Sequence, residues 1–262
     1  MASEAEPAPL TLLTFAPMVD SEASRLLLSH YGVAWRERDH LLIKASLHTF
    51  LHGGYGRVPL LHGRGVRLTS PRRIAAHFDP LAPAERRLIP AEAGPAQQVE
   101  ADWRAYNGVL ALATARFAYF HLLPLRELMS KIFAASLPRD EAERTRAAYP
   151  RLGMLLRILL HISPESAAAA LAQIRATFAE TDARIADGRL YLCGDRLTLG
   201  DLALASAAAP LLMPPGYGAR MPDVGLMPVP LRDAVHELRG RPTAAFVERL
   251  YAEGFAAGRV PR

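Results

Sequence analysis

Residues 190–203 read Leu190-Tyr191-Leu192-Cys193-Gly194-Asp195-Arg196-Leu197-Thr198-Leu199-Gly200-Asp201-Leu202-Ala203. Thr198 and Asp201 have the spacing of a capping box. The threonine hydroxyl is expected to accept from the Asp201 N–H, while the carboxylate reaches back to the N–H of Thr198. Leu197 and Leu202 are spaced to form the hydrophobic staple that fixes how the chain enters the helix. Losing such a cap typically costs about 1 kcal/mol. The stretch therefore carries folding, and it predicts a helix over 199–212.

Around it, long segments repeat their apolar residues at helical spacing: 97–123, 127–135, 139–148, 151–162, 165–186 and 231–255, with a proline- and glycine-bearing loop over 213–230. Upstream of the proline-punctuated stretch 79–95 the pattern changes. The run 10–15 suits a buried strand, and Asp20 or Ser21 can cap a helix in which Ala23, Leu26, Leu27 and His30 share a face. Gly32 ends that helix, 33–38 can form a second strand, and 41–51 a second helix. Two short runs, 58–61 and 66–69, flank His62-Gly63-Arg64-Gly65 and read as a hairpin. Ser70-Pro71 supplies an N-cap followed by proline at the first helical position, and a helix to Phe78. The order is βαβ, then ββα, then an all-helical half. The division expected is a disordered tail over 1–9, an α/β domain over 10–79, a linker over 80–95 and an all-helical domain over 96–262.

Composition excludes several classes. The chain has 262 residues, half of them hydrophobic and 22% charged, with a mean hydropathy of +0.07. That is enough apolar mass for a substantial core and too much for a disordered chain. Cys193 is the single cysteine, so no internal disulfide can form and a reducing cytoplasm is expected. The richest apolar stretch, 109–125, is interrupted by Arg116 and His121, so no membrane span is expected. The net charge of +5 and the pI of about 9.6 invite a nucleic-acid reading. Arginine is spread from Arg25 to Arg262, however, with no basic cluster beside a docking motif, so no nucleic-acid partner is expected. The arginine, alanine, proline and glycine bias also suits a bacterium with GC-rich codons.

The 190–203 stretch closely resembles the C-terminal-domain motif of glutathione transferases, and it falls at that family's distance after a βαβ-ββα half. Val58-Pro59 stands where the family's thioredoxin-like domain carries a cis-proline; taken alone, Pro59 reads equally well as an ordinary trans proline at a strand start. Pro214-Pro215-Gly216-Tyr217-Gly218 is similar to a loop of bacterial members. The resemblance spans about 10–250. It implies a thioredoxin-like N-terminal domain, an all-helical C-terminal domain, a homodimer, and glutathione as co-substrate used on a small hydrophobic electrophile. A non-catalytic binding or scaffold protein on the same fold is the alternative.

The same resemblance assigns candidate residues. The backbone of Val58, beside Pro59, would pair with the tripeptide, and Thr69 and Ser70 would meet its γ-glutamyl end, although Pro71 lacks an N–H there. Glu22 and Arg25 match the family's Glu-x-x-Arg, which puts Met18 at the usual catalytic serine and Ser21 at the cysteine position. Thr14 falls at the tyrosine position of other members. Ser21, with Thr14 behind it, is then the hydroxyl left to favour the thiolate, unless Ser21 is a plain N-cap and Thr14 a strand-end residue. Arg25 reads as a structural ion-pair partner or as a ligand residue. Trp103, Tyr106 and Tyr217 are candidates to face the electrophile's pocket. His48 and His52 have metal-pair spacing but no third ligand, so no metal is expected.

Overall fold

Strand β1, Leu10–Thr14, buries four of its five residues, as a central strand flanked on both sides must. Strand β2, Trp35–Asp39, instead alternates, with Trp35, Glu37 and Asp39 turned inward and Arg36 and Arg38 outward. In the computed structural model, which describes residues 9–134, 137 and 139–253, these two strands pair in parallel. Strand β3, Leu60–Gly63, runs antiparallel to β1, and β4, Val66–Leu68, antiparallel to β3. The sheet order is β2-β1-β3-β4. Apart from Pro9, the tail expected over 1–9 lies outside the described residues.

Three helices cover the sheet: α1 (Val19–His30), α2 (Leu42–Leu51) and α3 (Pro71–Phe78). Helix α1 is buried almost throughout, whereas α2 leaves Ile43, Leu47 and Phe50 exposed. Ser70 caps α3 with its hydroxyl 3.3 Å from the Arg73 N–H, and Pro71 takes the first helical position, where a missing N–H costs nothing. Asp79 is buried, accepting from the Leu88 N–H at 2.6 Å and the Tyr31 hydroxyl at 3.0 Å. These bonds tie the proline-bearing connection back onto the first three helices.

The remainder is helical: α4 (Ala93–Trp103), a π-helical turn (Arg104–Leu110), α5 (Ala111–Leu122), α6 (Arg126–Ala134), α7 (Arg139–Leu159), α8 (Pro164–Ile185), α9 (Leu199–Leu212), α10 (Val229–Arg239) and α11 (Pro242–Ala252). Helix α9 is buried over its whole length and lies against α1, α4, α5, α10 and α11. Several boundaries depart from the periodicity reading, among them the starts of α4 at Ala93 and of α10 at Val229. Pro150 sits inside one continuous α7, so the expected break at 149–150 is absent. Gly240-Arg241 separates α10 from α11, and Pro242 takes the first position of α11. The strand β3 starts two residues after 58, and β2 runs one residue further, to Asp39. Among the described residues, no single helix is long and apolar enough to cross a membrane.

Both halves of the expected capping box are present at the start of α9. Asp201 reaches back, its Oδ2 2.8 Å from the Thr198 N–H, and the Thr198 hydroxyl also lies 2.7 Å from that oxygen. The other carboxylate oxygen accepts from the Leu192 N–H at 2.8 Å. One buried carboxylate thus anchors both the helix start and the loop before it. Gly200 is required at this point, since a Cβ there would lie 2.8 Å from the Asp102 Cβ.

Candidate functional site

The sheet register brings the candidate binding residues to one end. Extending the β3–β4 ladder beyond Leu61 opposite Leu68 puts Pro59 across from Ser70. Extending the β1–β3 ladder beyond Leu13 opposite Leu60 puts Val58 across from Phe15. The Val58–Pro59 bond is cis. Among the described residues, neither the N–H nor the C=O of Val58 joins the backbone pairing of sheet or turns. Val58 is 9% exposed and Thr69 8%, while Ser70 is half-buried. Of the first-turn amides of α3, Pro71 has none and Arg73 is taken by the Ser70 cap, which leaves the Arg72 N–H.

Next to this edge the chain leaves β1 through Phe15-Ala16-Pro17 and opens α1 with Met18 as its N-cap. Asp20 and Ser21 are therefore the second and third helical residues, and neither is the cap. Met18 is partly exposed and has a thioether that can donate no hydrogen bond. Among the described residues, the first amides of α1, on Val19 and Asp20, have no backbone acceptor, as at any helix start. Both candidate hydroxyls turn away from the surface. Ser21 is 0% exposed and donates to the Phe15 carbonyl at 2.9 Å. Thr14 is 0% exposed and donates to Glu37 at 2.7 Å and to Asp39 at 3.3 Å. The reason is geometric: helical spacing puts Ser21 on the sheet-facing side of α1, and Thr14 belongs to the buried face of β1.

Beneath the helix start lies a charged cluster. Arg25 is buried, with Nη1 2.7 Å from Glu22 Oε2 and Nη2 2.6 Å from Glu37 Oε1. Its carboxylate partners push its already high pKa further up. Glu22 also accepts from the Tyr251 hydroxyl at 2.9 Å and from the Gly218 N–H at 3.1 Å. The Glu22-x-x-Arg25 pair is thus the hub that docks the late loop and α11 on α1. Arg25 takes the ion-pair role. Asp39 accepts from the Ala16 N–H at 2.7 Å, and burial, with Glu37 nearby, pushes its carboxyl up to about 6 against the opposing pull of Arg25.

An open, mostly apolar cleft of about 340 Å³ begins at this helix start. Its walls are Phe15, Met18 and Val19 on one side, Leu42 of α2, Ala111 and Leu112 of α5, and Leu156 at the end of α7. Its polar groups are Asp20, Asn107 and Tyr119. Trp103 and Tyr106 are not among its lining. Trp103 is 9% exposed and Tyr106 6%, with the Tyr106 hydroxyl 3.2 Å from Thr181 Oγ1, so both belong to the helical core. Burial raises the Tyr106 pKa accordingly. Tyr217 lines a smaller neighbouring pocket with Tyr119, Pro210 and Arg220. The cleft-lining Asp20, Leu42 and Asn107 escaped the sequence reading. An acidic residue beside a helix start and a lone asparagine in a long helix are signals too common to single them out.

His48 and His52 lie at the end of α2 and in the turn after it. His52 Nδ1 is 2.8 Å from the His48 carbonyl, and its ring packs on His62 at 4.4 Å. Among the described residues, no group of three His, Cys, Asp or Glu side chains is arranged to hold a metal ion.

With this geometry in view, comparison with known proteins gives three findings. Residues 164–238 match the family model described as glutathione S-transferase, C-terminal domain. Among solved structures, the chain is similar to a glutathione S-transferase from Sinorhizobium meliloti 1021 (16% identity, 92% of each chain, TM-score 0.55). It is similar also to the β-etherase LigF from Sphingobium sp. strain SYK-6 (16% identity, 94% of this chain and 100% of that one, TM-score 0.57). A third likeness is to a glutathione S-transferase I bound with lactoylglutathione (16% identity, 93% and 100%, TM-score 0.54). No curated protein matches the chain. At these identities the likeness is one of fold. The chain has the two-part glutathione S-transferase fold, a thioredoxin-like sheet region followed by an all-helical part.

Proposed function

We propose that the chain is a glutathione-using transferase that binds the tripeptide along the Val58–Ser70 edge and acts on a small hydrophobic electrophile in the adjoining cleft. The observation that carries this reading is the convergence of three features at one sheet end: the unpaired Val58 backbone, the capped start of α3 and the apolar cleft at the start of α1. The tripeptide would supply a thiol nucleophile. In this reading Val58 pairs with it as one more strand rung, and the Ser70 hydroxyl and Arg72 N–H meet its γ-glutamyl carboxylate. The start of α1 favours a nearby thiolate through its unpaired amides and helix dipole. Ser21 and Thr14, whose hydroxyls face inward, have no part in it. Tyr217 closes the far side of the neighbouring pocket. A homodimer belongs to the same proposal on the family resemblance, and a cytoplasmic location on the single cysteine.

Calorimetric titration with reduced glutathione tests this directly. Saturable binding in the micromolar-to-millimolar range is expected, weakened at least fivefold in Ser70→Ala. Absence of binding up to several millimolar would overturn the reading and leave the non-catalytic scaffold, for which Met18 at the helix start is the supporting feature. Binding without turnover on any of a panel of electrophiles would keep the site and remove the chemistry.

A further inference from the structure

Helix α2 turns its large apolar residues outward. Its buried side chains are the small Ala45 and Thr49, while Ile43, Leu47, Phe50 and Leu51 are each more than half exposed. These four stand at i, i+4, i+7 and i+8, which is one stripe of a helix. Just beyond the helix, Tyr55 sits on a left-handed backbone with φ of 54°, and its ring is exposed, so packing does not account for its placement. Single exposed apolar residues need no explanation, but a contiguous stripe of large ones marks a surface that something covers.

The exposed charges around the stripe have one sign. Register sets Arg36 beside Thr11, Thr11 beside His62 and His62 beside Arg67, in one row across the sheet. Arg38, two residues after Arg36, shares that face. It is the face under α2. The His52 ring, just past the helix, lies 4.4 Å from that of His62, and a Cβ on Gly53 would lie 2.8 Å from Arg67 Cζ. The other face of β2 carries Glu37 and Asp39, both buried, on Arg25 and on the Ala16 N–H. Within 33–70, therefore, every exposed charge is cationic: Arg36, Arg38, Arg57, Arg64 and Arg67. Burial, and then the charges of His52, Arg38 and Arg67, push the His62 pKa down.

We propose that this face docks on an anionic lipid surface, the α2 stripe and Tyr55 entering the boundary between headgroups and acyl chains and the arginines meeting the headgroups. A helix of 10 residues is too short to span a bilayer, but an apolar stripe with basic flanks suits one that lies in its interface. The negative potential of such a surface attracts the flanking cations. A second copy of this face is disfavoured on two counts. Pairing the face with itself sets arginine against arginine. The helix also offers an apolar strip of only about 15 Å by 10 Å, far below the roughly 800 Å² per partner of a stable protein interface. The same shortfall counts against an acidic protein, whereas a bilayer takes up each apolar side chain without a matched surface. The inference is independent of the transferase reading.

Sedimentation of the full chain with vesicles tests it, phosphatidylcholine alone against phosphatidylcholine with about a third phosphatidylglycerol. Partition onto the anionic vesicles is expected to be at least tenfold stronger than onto the neutral ones, and to weaken at least fivefold when salt is raised about tenfold. The double variant Leu47→Glu/Phe50→Glu, at exposed positions, should lose at least tenfold with native circular dichroism. Arg36→Gln/Arg38→Gln should lose at least threefold on anionic vesicles and nothing on neutral ones. Partition that is equal on the two vesicles, or unchanged in the folded glutamate variant, overturns the proposal. So does absence of partition up to millimolar lipid. In that case a lower sedimentation-equilibrium mass in the glutamate variant than in wild type gives the face to a second copy, and an unchanged mass gives it to an acidic protein.

Discussion

Ser21 illustrates how a single residue can be located in sequence and still be misread in role. The Glu22–Arg25 spacing sets its position on α1, but only the packing of that helix on β1 shows the hydroxyl pointing into the Phe15 carbonyl. Ser21→Ala removes one buried hydrogen bond, while the Phe15 carbonyl keeps the Met18 N–H at 3.0 Å. A stability loss of about 1 kcal/mol in urea denaturation is expected. Turnover per folded molecule should stay within twofold of wild type. A collapse of turnover at unchanged stability would return the hydroxyl to the reaction. Asn107 is the converse case: nothing in its local sequence marks it, and only the fold brings it within 3.1 Å of Asp20, across two separate helices.

Among the elements, the start of α9 was the most legible, because a capping box depends on residues three apart and needs no tertiary partner. Asp201 nevertheless does more than a box requires. It accepts from the Leu192 N–H as well as from Thr198, so one carboxylate holds two backbone donors in a fully buried place. Asp201→Ala should therefore cost more than Thr198→Ala. About 2–5 kcal/mol is expected for the first, for two stranded donors, against about 1 kcal/mol for the second. Thermal denaturation of the two variants decides it; equal losses would mean that the Leu192 bond contributes nothing. The helix boundaries were read less well than the caps. Pro150 is accommodated within α7, whereas Pro242 opens α11, and residue type alone does not distinguish the two cases.

For the whole molecule, the most consequential contacts join distant parts of the chain. Glu22 holds Gly218 and Tyr251, so the start of the fold is completed by its last described helix. Beneath it, Glu37, Asp39 and Arg25 share one buried space. Asp39 titrates near 6, well above its unfolded value, so the folded state holds the extra proton across the intervening window. The folded form is therefore favoured by this group at the acidic end, and that contribution is lost as pH rises through about 6. Asp39→Asn can still accept from the Ala16 N–H and has no charge to bury. The stability of wild type relative to Asp39→Asn should fall between pH 4.5 and pH 7, with thermal midpoints as the measure. A difference independent of pH would mean that Asp39 does not titrate in that range.

Local chemistry determined what the sequence could disclose by itself. Period-two and period-3.6 burial, proline and serine at helix starts, and the Thr198–Asp201 spacing are all set within a few residues, and they led to a βαβ-ββα half followed by helices. The resemblance to glutathione transferases, carried by those motifs, brought Val58, Ser70 and the start of α1 into consideration. Only the tertiary structure decided which way Ser21 and Thr14 face, that Trp103 and Tyr106 belong to the core, and that Asp20 and Asn107 share a cleft wall. Side-chain direction follows from which face an element buries, and that face is chosen by partners tens of residues away. A spacing of three or four residues carries no information about them.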